Sequence, residues 1–142
     1  MKFILIILIS ISSSIKIMAQ DITRVFINDV KAADVIVKTD ETTALLVIKK
    51  SSLKNLKSIT IQVDGELVQG DLFKRTLQIS EEPRITADET KNKPGWFDMT
   101  KTDLKKQLAA GKTISLYLVL DPANPMMTMR SRIIFVGKLV MR

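Results

Sequence analysis

Residues 113–120 read TISLYLVL and residues 132–141 read RIIFVGKLVM, two long apolar stretches separated by one loop. Successive side chains of a β-strand point to opposite faces. One face of the first stretch therefore holds Ile114, Leu116, Leu118 and Leu120. Strict alternation in the second stretch groups Ile133, Phe135, Leu139 and Met141. Both stretches are apolar on nearly both faces, which is typical of central strands. The pattern predicts a hairpin in the middle of the core.

Shorter strand patterns precede this hairpin and indicate a mainly β protein. Residues 59–63 alternate apolar and polar side chains, which is typical of a half-buried strand. Residues 22–28 alternate less cleanly, and their polarity predicts a strand at a sheet edge. Residues 34–38 and 43–49 are β-branched runs separated by a polar loop of hairpin length, so we expect them to pair antiparallel. A further strand is expected at residues 72–79.

Turn and cap signals define the connections. Asp64-Gly65 predicts a two-residue hairpin turn, because both central residues of such a turn need positive φ. Lys93-Pro94-Gly95-Trp96 predicts a type II turn. Thr100 is a helix N-cap candidate and Gly111 a helix terminator, which predicts one helix of about ten residues. The expected fold is an antiparallel β-sandwich with one short α-helix.

The first nineteen residues have the three parts of a secretory signal peptide. A basic start at Lys2 is followed by the apolar run 3–11 and, later, by the small residue Ala19. An uncleaved anchor helix is the alternative, but three serines and Lys16 interrupt the run. We expect a signal peptide over residues 1–19 and a single β-sandwich domain over residues 20–142. The protein would then be periplasmic or extracellular, touching the membrane only through the signal peptide before cleavage.

Composition narrows the classes of partner. The chain has 22 basic and 15 acidic residues, so loss of Lys2 and Lys16 with the signal peptide leaves 20 against 15, a net charge of +5. Such a charge favours anionic surfaces such as acidic glycans or lipid head groups. Nucleic acid is not an expected partner outside the cell. Cysteine is absent, which excludes disulfides.

The sequence does not favour an enzyme, and no cofactor is expected. Without histidine or cysteine, histidine-based triads, thiol nucleophiles and the usual zinc ligands are excluded. An acid-catalysed hydrolase would have to use carboxylates from the long stretch after residue 79, which contains Glu81, Glu82, Asp88 and Glu89. A solvated loop is the preferred interpretation of these acids.

Candidate binding residues lie in two segments that prolines stiffen. Trp96 and Phe97 follow the Pro94-Gly95 turn, and two prolines restrict the loop from Asp121 to Arg130. The predicted contact residues are Trp96, Phe97, Asp121, Asn124, Met126, Met127 and Arg130. Two alternatives remain open: Trp96 as a plug that closes one end of the sandwich, and the methionines as packing residues or Cu(I) ligands. Arg130, Arg132 and Lys138 are a further candidate, for a small anion site.

These observations predict an exported, non-enzymatic β-sandwich module that binds a protein or glycan partner through its loops. The alternative is a structural subunit of an envelope or surface assembly, in which the N-terminal strand or another edge strand pairs with a second chain. An acid-catalysed hydrolase is the third and least favoured class. The sequence leaves the oligomeric state open.

Overall fold

A computed structural model shows a mainly β chain. It describes residues 20–38, 43–79, 84–102, 107 and 113–142. Within these residues the strands are β1 (Asp21–Ile27), β2 (Val30–Val37), β3 (Leu45–Ile48), β4 (Ile59–Asp64), β5 (Phe73–Ile79), β6 (Ile85–Asp88), β7 (Trp96–Met99), β8 (Ile114–Pro122) and β9 (Arg132–Met141). Two short 3-10 turns lie at Lys50–Leu53 and Glu66–Val68.

The strands form two sheets that share one core. The first sheet has the order β2-β1-β4-β7, and all its neighbours are antiparallel. The second has the order β3-β9-β8-β5-β6, antiparallel except for the parallel pair of β3 and β9. Buried aliphatic residues of both sheets form a single hydrophobic cluster. Thr23 of β1 donates a 2.7 Å hydrogen bond to the carbonyl of Val136 in β9, which ties the two sheets together.

The predicted hairpin is confirmed as the centre of the second sheet, where β8 pairs with β9. The four residues predicted to share one face of β8 are all buried. The faces predicted for the first half of β9 are wrong, since Ile133 is 63% exposed and Val136 is buried. An irregularity opposite Leu116 and Tyr117, beside Gly137 with φ +149°, inserts one extra residue. Such a bulge reverses the alternation of side chains beyond it.

Three predicted pairings are wrong, although the strands themselves exist. The segments 34–38 and 43–49 do not pair with each other: β2 pairs with β1, while β3 joins the other sheet beside β9. β1 is not an edge strand, because it lies between β2 and β4. Asp64-Gly65 begins a crossing to the second sheet and not a hairpin, and Gly65 adopts φ +137° there.

The predicted turn before Trp96 is confirmed. The Trp96 N–H donates to the Lys93 carbonyl over 3.1 Å, and Gly95 has φ +80°, as a type II turn requires. The stretch around it is more regular than the sequence indicates. A hydrogen bond from the Thr90 N–H to the Trp96 carbonyl closes the connection between β6 and β7. The chain crosses here from the second sheet to the first.

The helix predicted after Thr100 falls mostly outside the described residues. Lys101, Thr102 and Gln107 are helical. Gly111, the predicted helix terminator, belongs to the part of the chain that the structure does not describe, as do residues 1–19, for which the sequence predicts a signal peptide.

Candidate functional site

The two predicted binding segments lie at the same end of the sheets. In the first sheet, Trp96 pairs with Gln62 near the end of β4. From the end of β4 the chain passes to β5 in the second sheet, where the first residue, Phe73, pairs with Pro122 at the end of β8. Residues 123–131 connect β8 to β9 at this end. We call it the loop end.

Hydrogen bonds hold the loop 123–131 in a defined conformation. At its base, the Ser131 hydroxyl donates to the Asp121 carboxylate over 2.5 Å. At its tip, the Asn124 side chain accepts from the Met126 N–H over 3.0 Å, and the Asn124 carbonyl accepts from the Met127 N–H over 3.0 Å. This is a turn stabilised by asparagine, a residue favoured in turns for that reason. Asp121 and Asn124 therefore shape the loop.

Large apolar side chains surround this loop and face solvent. Met126 is 88% exposed, and the group consists of Leu72, Met126, Met129 and Ile133. Leu72 is joined to the loop by a 2.9 Å hydrogen bond from the Ala123 N–H to the Leu72 carbonyl. We call these four residues the methionine patch. Single exposed apolar residues are ordinary, but several around one ordered loop are typical of an interaction surface.

Basic residues border the methionine patch. Lys74, Arg130 and Arg132 are exposed, and Lys74 lies opposite Asp121 in the sheet. The predicted grouping of Arg130 and Arg132 with Lys138 is wrong. Lys138 pairs with Ser115 near the other end of β9, and six strand residues span about 20 Å.

Trp96 and Phe97 point in opposite directions. Phe97 is fully buried in the core, so its side chain cannot contact a partner. Trp96 lies on the outer face of the first sheet and is not a core plug. Its ring stacks on Phe26 of β1 with centroids 5.2 Å apart, and the Lys93 ammonium lies 5.9 Å from its centroid. No local pattern in the sequence marks Phe26 as part of this site, because its partner Trp96 comes from a strand remote in sequence.

Polar side chains beside the Trp96–Phe26 pair are already bound to one another. Arg24 donates to the Gln62 side chain over 3.2 Å and to Asp64 over 3.1 Å. On the other side, the Asp98 carboxylate accepts from the Thr60 hydroxyl over 2.9 Å. This face therefore offers an aromatic pair whose polar surroundings are mutually satisfied.

An ion pair between a buried arginine and a half-buried glutamate fixes the turn that carries Trp96. Arg75 has only 4% of its side chain exposed and donates to Glu89 over 2.6 Å. A second guanidinium nitrogen donates to the Gly70 carbonyl over 3.0 Å. Glu89 also accepts from the Gly95 N–H over 2.9 Å. Of the four acids considered for hydrolysis, Glu89 is therefore engaged by Arg75 and by the Gly95 N–H. Asp88 is exposed on an edge strand, and Glu81 and Glu82 lie outside the described residues.

Two carboxyl groups have altered acidity for identifiable reasons. Burial raises the pKa of Asp21 above its usual value; the hydrogen bond from the Leu67 N–H opposes this shift, and the charge of Glu66 adds to it. The pKa of Asp34 is lowered by the hydrogen bond and the positive charge of Lys31. Neither group lies among the predicted contact residues.

In comparisons with known proteins, no family model, curated protein or solved structure matches the chain. In the described part of the chain, no helix has the length and apolar character to cross a membrane. The same residues contain no group of three acids placed to hold a metal ion.

Proposed function

We propose that residues 20–142 form a single β-sandwich module that works outside the cytoplasm and binds a protein partner, without catalysis, through its loop end. The observation that carries this proposal is the methionine patch, with Met126 88% exposed on a loop held by hydrogen bonds. Two sheets share one hydrophobic core, and this arrangement supports the sandwich architecture.

The chemistry of the patch fits a protein surface. Methionine side chains are flexible and polarizable, so they adapt to an apolar pocket on a partner. An ordered loop has less conformational entropy to lose on binding. The flanking cations Lys74, Arg130 and Arg132 suit an acidic rim around that pocket, since rim charges steer association and orient the partner. A glycan partner is less well supported, because the polar groups around Trp96 are bound to one another.

Replacing Met126 and Met129 together by serine is expected to weaken partner capture by at least about tenfold, since apolar anchors dominate interface energies. The measurement is quantitative crosslinking of purified protein to an envelope extract. Val30→Ser is the matched control, because Val30 is 69% exposed in the β1–β2 hairpin at the opposite end. Both variants should keep the wild-type unfolding midpoint. Equal capture by all three proteins would refute the proposed site.

Export is the second part of the proposal, and the pattern of residues 1–19 supports it. Mass spectrometry of protein recovered from outside the cytoplasm should find Gln20 at the N-terminus. Recovery of the chain with Met1 still attached would contradict cleavage after Ala19.

Assembly by strand addition is the second candidate function. β2 is an edge of the first sheet, and a groove of about 630 Å³ beside it is bordered by Ile36 and Leu45. β1 does not offer such an edge, because both its sides are paired. Light scattering on purified protein separates the candidates. A stable higher oligomer that Ile36→Pro in β2 disperses would favour assembly, because the Ile36 N–H faces away from β1, at the free edge.

A further inference from the structure

A cluster of lysines lies at the end of the sheets opposite the methionine patch. The connection from β3 to β4 contains Lys49, Lys50, Lys54 and Lys57, all exposed. The sequence has no aspartate or glutamate between Thr43 and Val63. We call these four residues the lysine cluster.

The backbone that carries the lysine cluster is ordered. Asn28, in the turn after β1, donates to the Asn55 carbonyl over 2.8 Å and accepts from the Lys57 N–H over 2.6 Å and the Ser58 N–H over 3.1 Å. The Lys50 N–H donates to the Arg142 carbonyl over 2.9 Å. These bonds join the connection to β1 and to the end of β9.

Packing directs the lysines outward. Leu56 is 3% exposed, and Leu53 packs against the core. Since these leucines anchor the connection from beneath, the four lysines between and around them project into solvent. The structure therefore presents the lysine cluster on an ordered backbone, with its charges directed outward.

Neighbouring residues extend this surface. Arg142 is exposed and hydrogen-bonded to the same connection. Asp29 adds one negative charge in the β1–β2 turn, against the four positive charges of the lysine cluster. Val30, next to it, presents a 69% exposed apolar side chain. The surface thus combines a net positive charge with an apolar tip.

We propose that the lysine cluster docks the protein on the surface of an anionic lipid bilayer. Clustered lysines are attracted to anionic head groups, and each contributes additively near the surface. An exposed valine beside them can enter the interfacial region of a bilayer. A purely ionic partner would instead leave this side chain in water. The proposal concerns a different surface from the methionine patch, so membrane docking would leave that patch directed away from the bilayer and open to a protein.

Vesicle sedimentation tests the proposal directly. The protein should bind vesicles of equal parts phosphatidylcholine and phosphatidylglycerol, not vesicles of phosphatidylcholine alone, and salt should release it because ions screen exposed charges. Replacing Lys49, Lys50, Lys54 and Lys57 by serine should weaken binding by up to about 1,000-fold, because each lysine near the surface contributes a factor of about five.

The matched control removes four exposed charges at the loop end, by replacing Lys74, Lys91, Arg130 and Arg132 with serine. It has the same net charge and should keep most of the wild-type vesicle binding. Equal loss in both quadruple variants would show that net charge alone acts and would overturn the proposal. Equal binding to neutral and anionic vesicles would also overturn the proposal, as would no binding to any vesicle. Retention on dextran sulfate without binding to anionic vesicles would overturn it too, because the partner would then be a sulfated polymer and not a bilayer. Wild-type unfolding midpoints in both variants exclude misfolding as the cause.

Discussion

Replacing Glu89 by alanine is expected to lower the free energy of unfolding by about 3 to 5 kcal/mol, the usual cost of leaving one partner of a buried ion pair alone. The guanidinium of Arg75 is almost completely buried and would lose its counter-ion. The Gly95 N–H would lose its acceptor as well. Denaturant unfolding measures the change, and the fluorescence of Trp96, the single tryptophan, reports the turn locally.

The double variant Arg75→Met with Glu89→Ala is the control that isolates the ion pair. It removes both charges and is expected to recover part of the lost stability, because no charge remains buried without a partner. If Glu89→Ala alone costs less than about 1 kcal/mol, the pair is solvated like a surface salt bridge and does not hold the turn.

Replacing Leu118 by alanine is expected to destabilise the protein by about 2 to 5 kcal/mol, because the change leaves a cavity in a packed core. Leu118 is fully buried and lies between Leu77 of β5 and Ile134 of β9 in the second sheet. Its side chain belongs to the core cluster that both sheets share. Denaturant unfolding at equilibrium gives the value directly.

Val119 offers a matched control for Leu118, since it is the next residue of β8 and points to the outer face, where it is half-buried. Val119→Ala is expected to cost less than about 1.5 kcal/mol, because a partly exposed site leaves no sealed cavity. A change below about 0.5 kcal/mol for Leu118→Ala, within the range of ordinary surface substitutions, would show that the hairpin is peripheral.

Much of the candidate site could be predicted from local sequence. Prolines restrict the backbone around Asn124 and at position 94, and Gly95 readily adopts the positive φ that its turn needs. These turns therefore do not depend on distant residues. The exposure of Met126 follows from its place in a turn between two strands. The prediction of Phe97 as a contact residue is wrong because adjacent strand residues face opposite sides of the sheet. Only packing decides which of Trp96 and Phe97 points inward.

Residues that act through distant partners could not be identified in this way. The Trp96–Phe26 stack joins positions 70 residues apart, and the Arg75–Glu89 pair joins β5 to the residue after β6, 14 positions away. Asn28 orders the lysine cluster from 27 to 30 residues away. No local pattern marks such residues, since a polar side chain in a strand is equally compatible with solvent.

The sequence by itself determined the mainly β character, the grouping of four apolar residues on one face of β8, the Pro94-Gly95 turn and the central hairpin, because alternation and turn chemistry are properties of neighbouring residues. Tertiary structure alone decided that β2 and β3 belong to different sheets, that β1 is an inner strand and that a bulge at Gly137 reverses the faces of β9. Strand pairing is chosen by the combined burial of both sheets around one core. Alternating apolar residues specify that a strand has a buried face, but not which strand lies beside it.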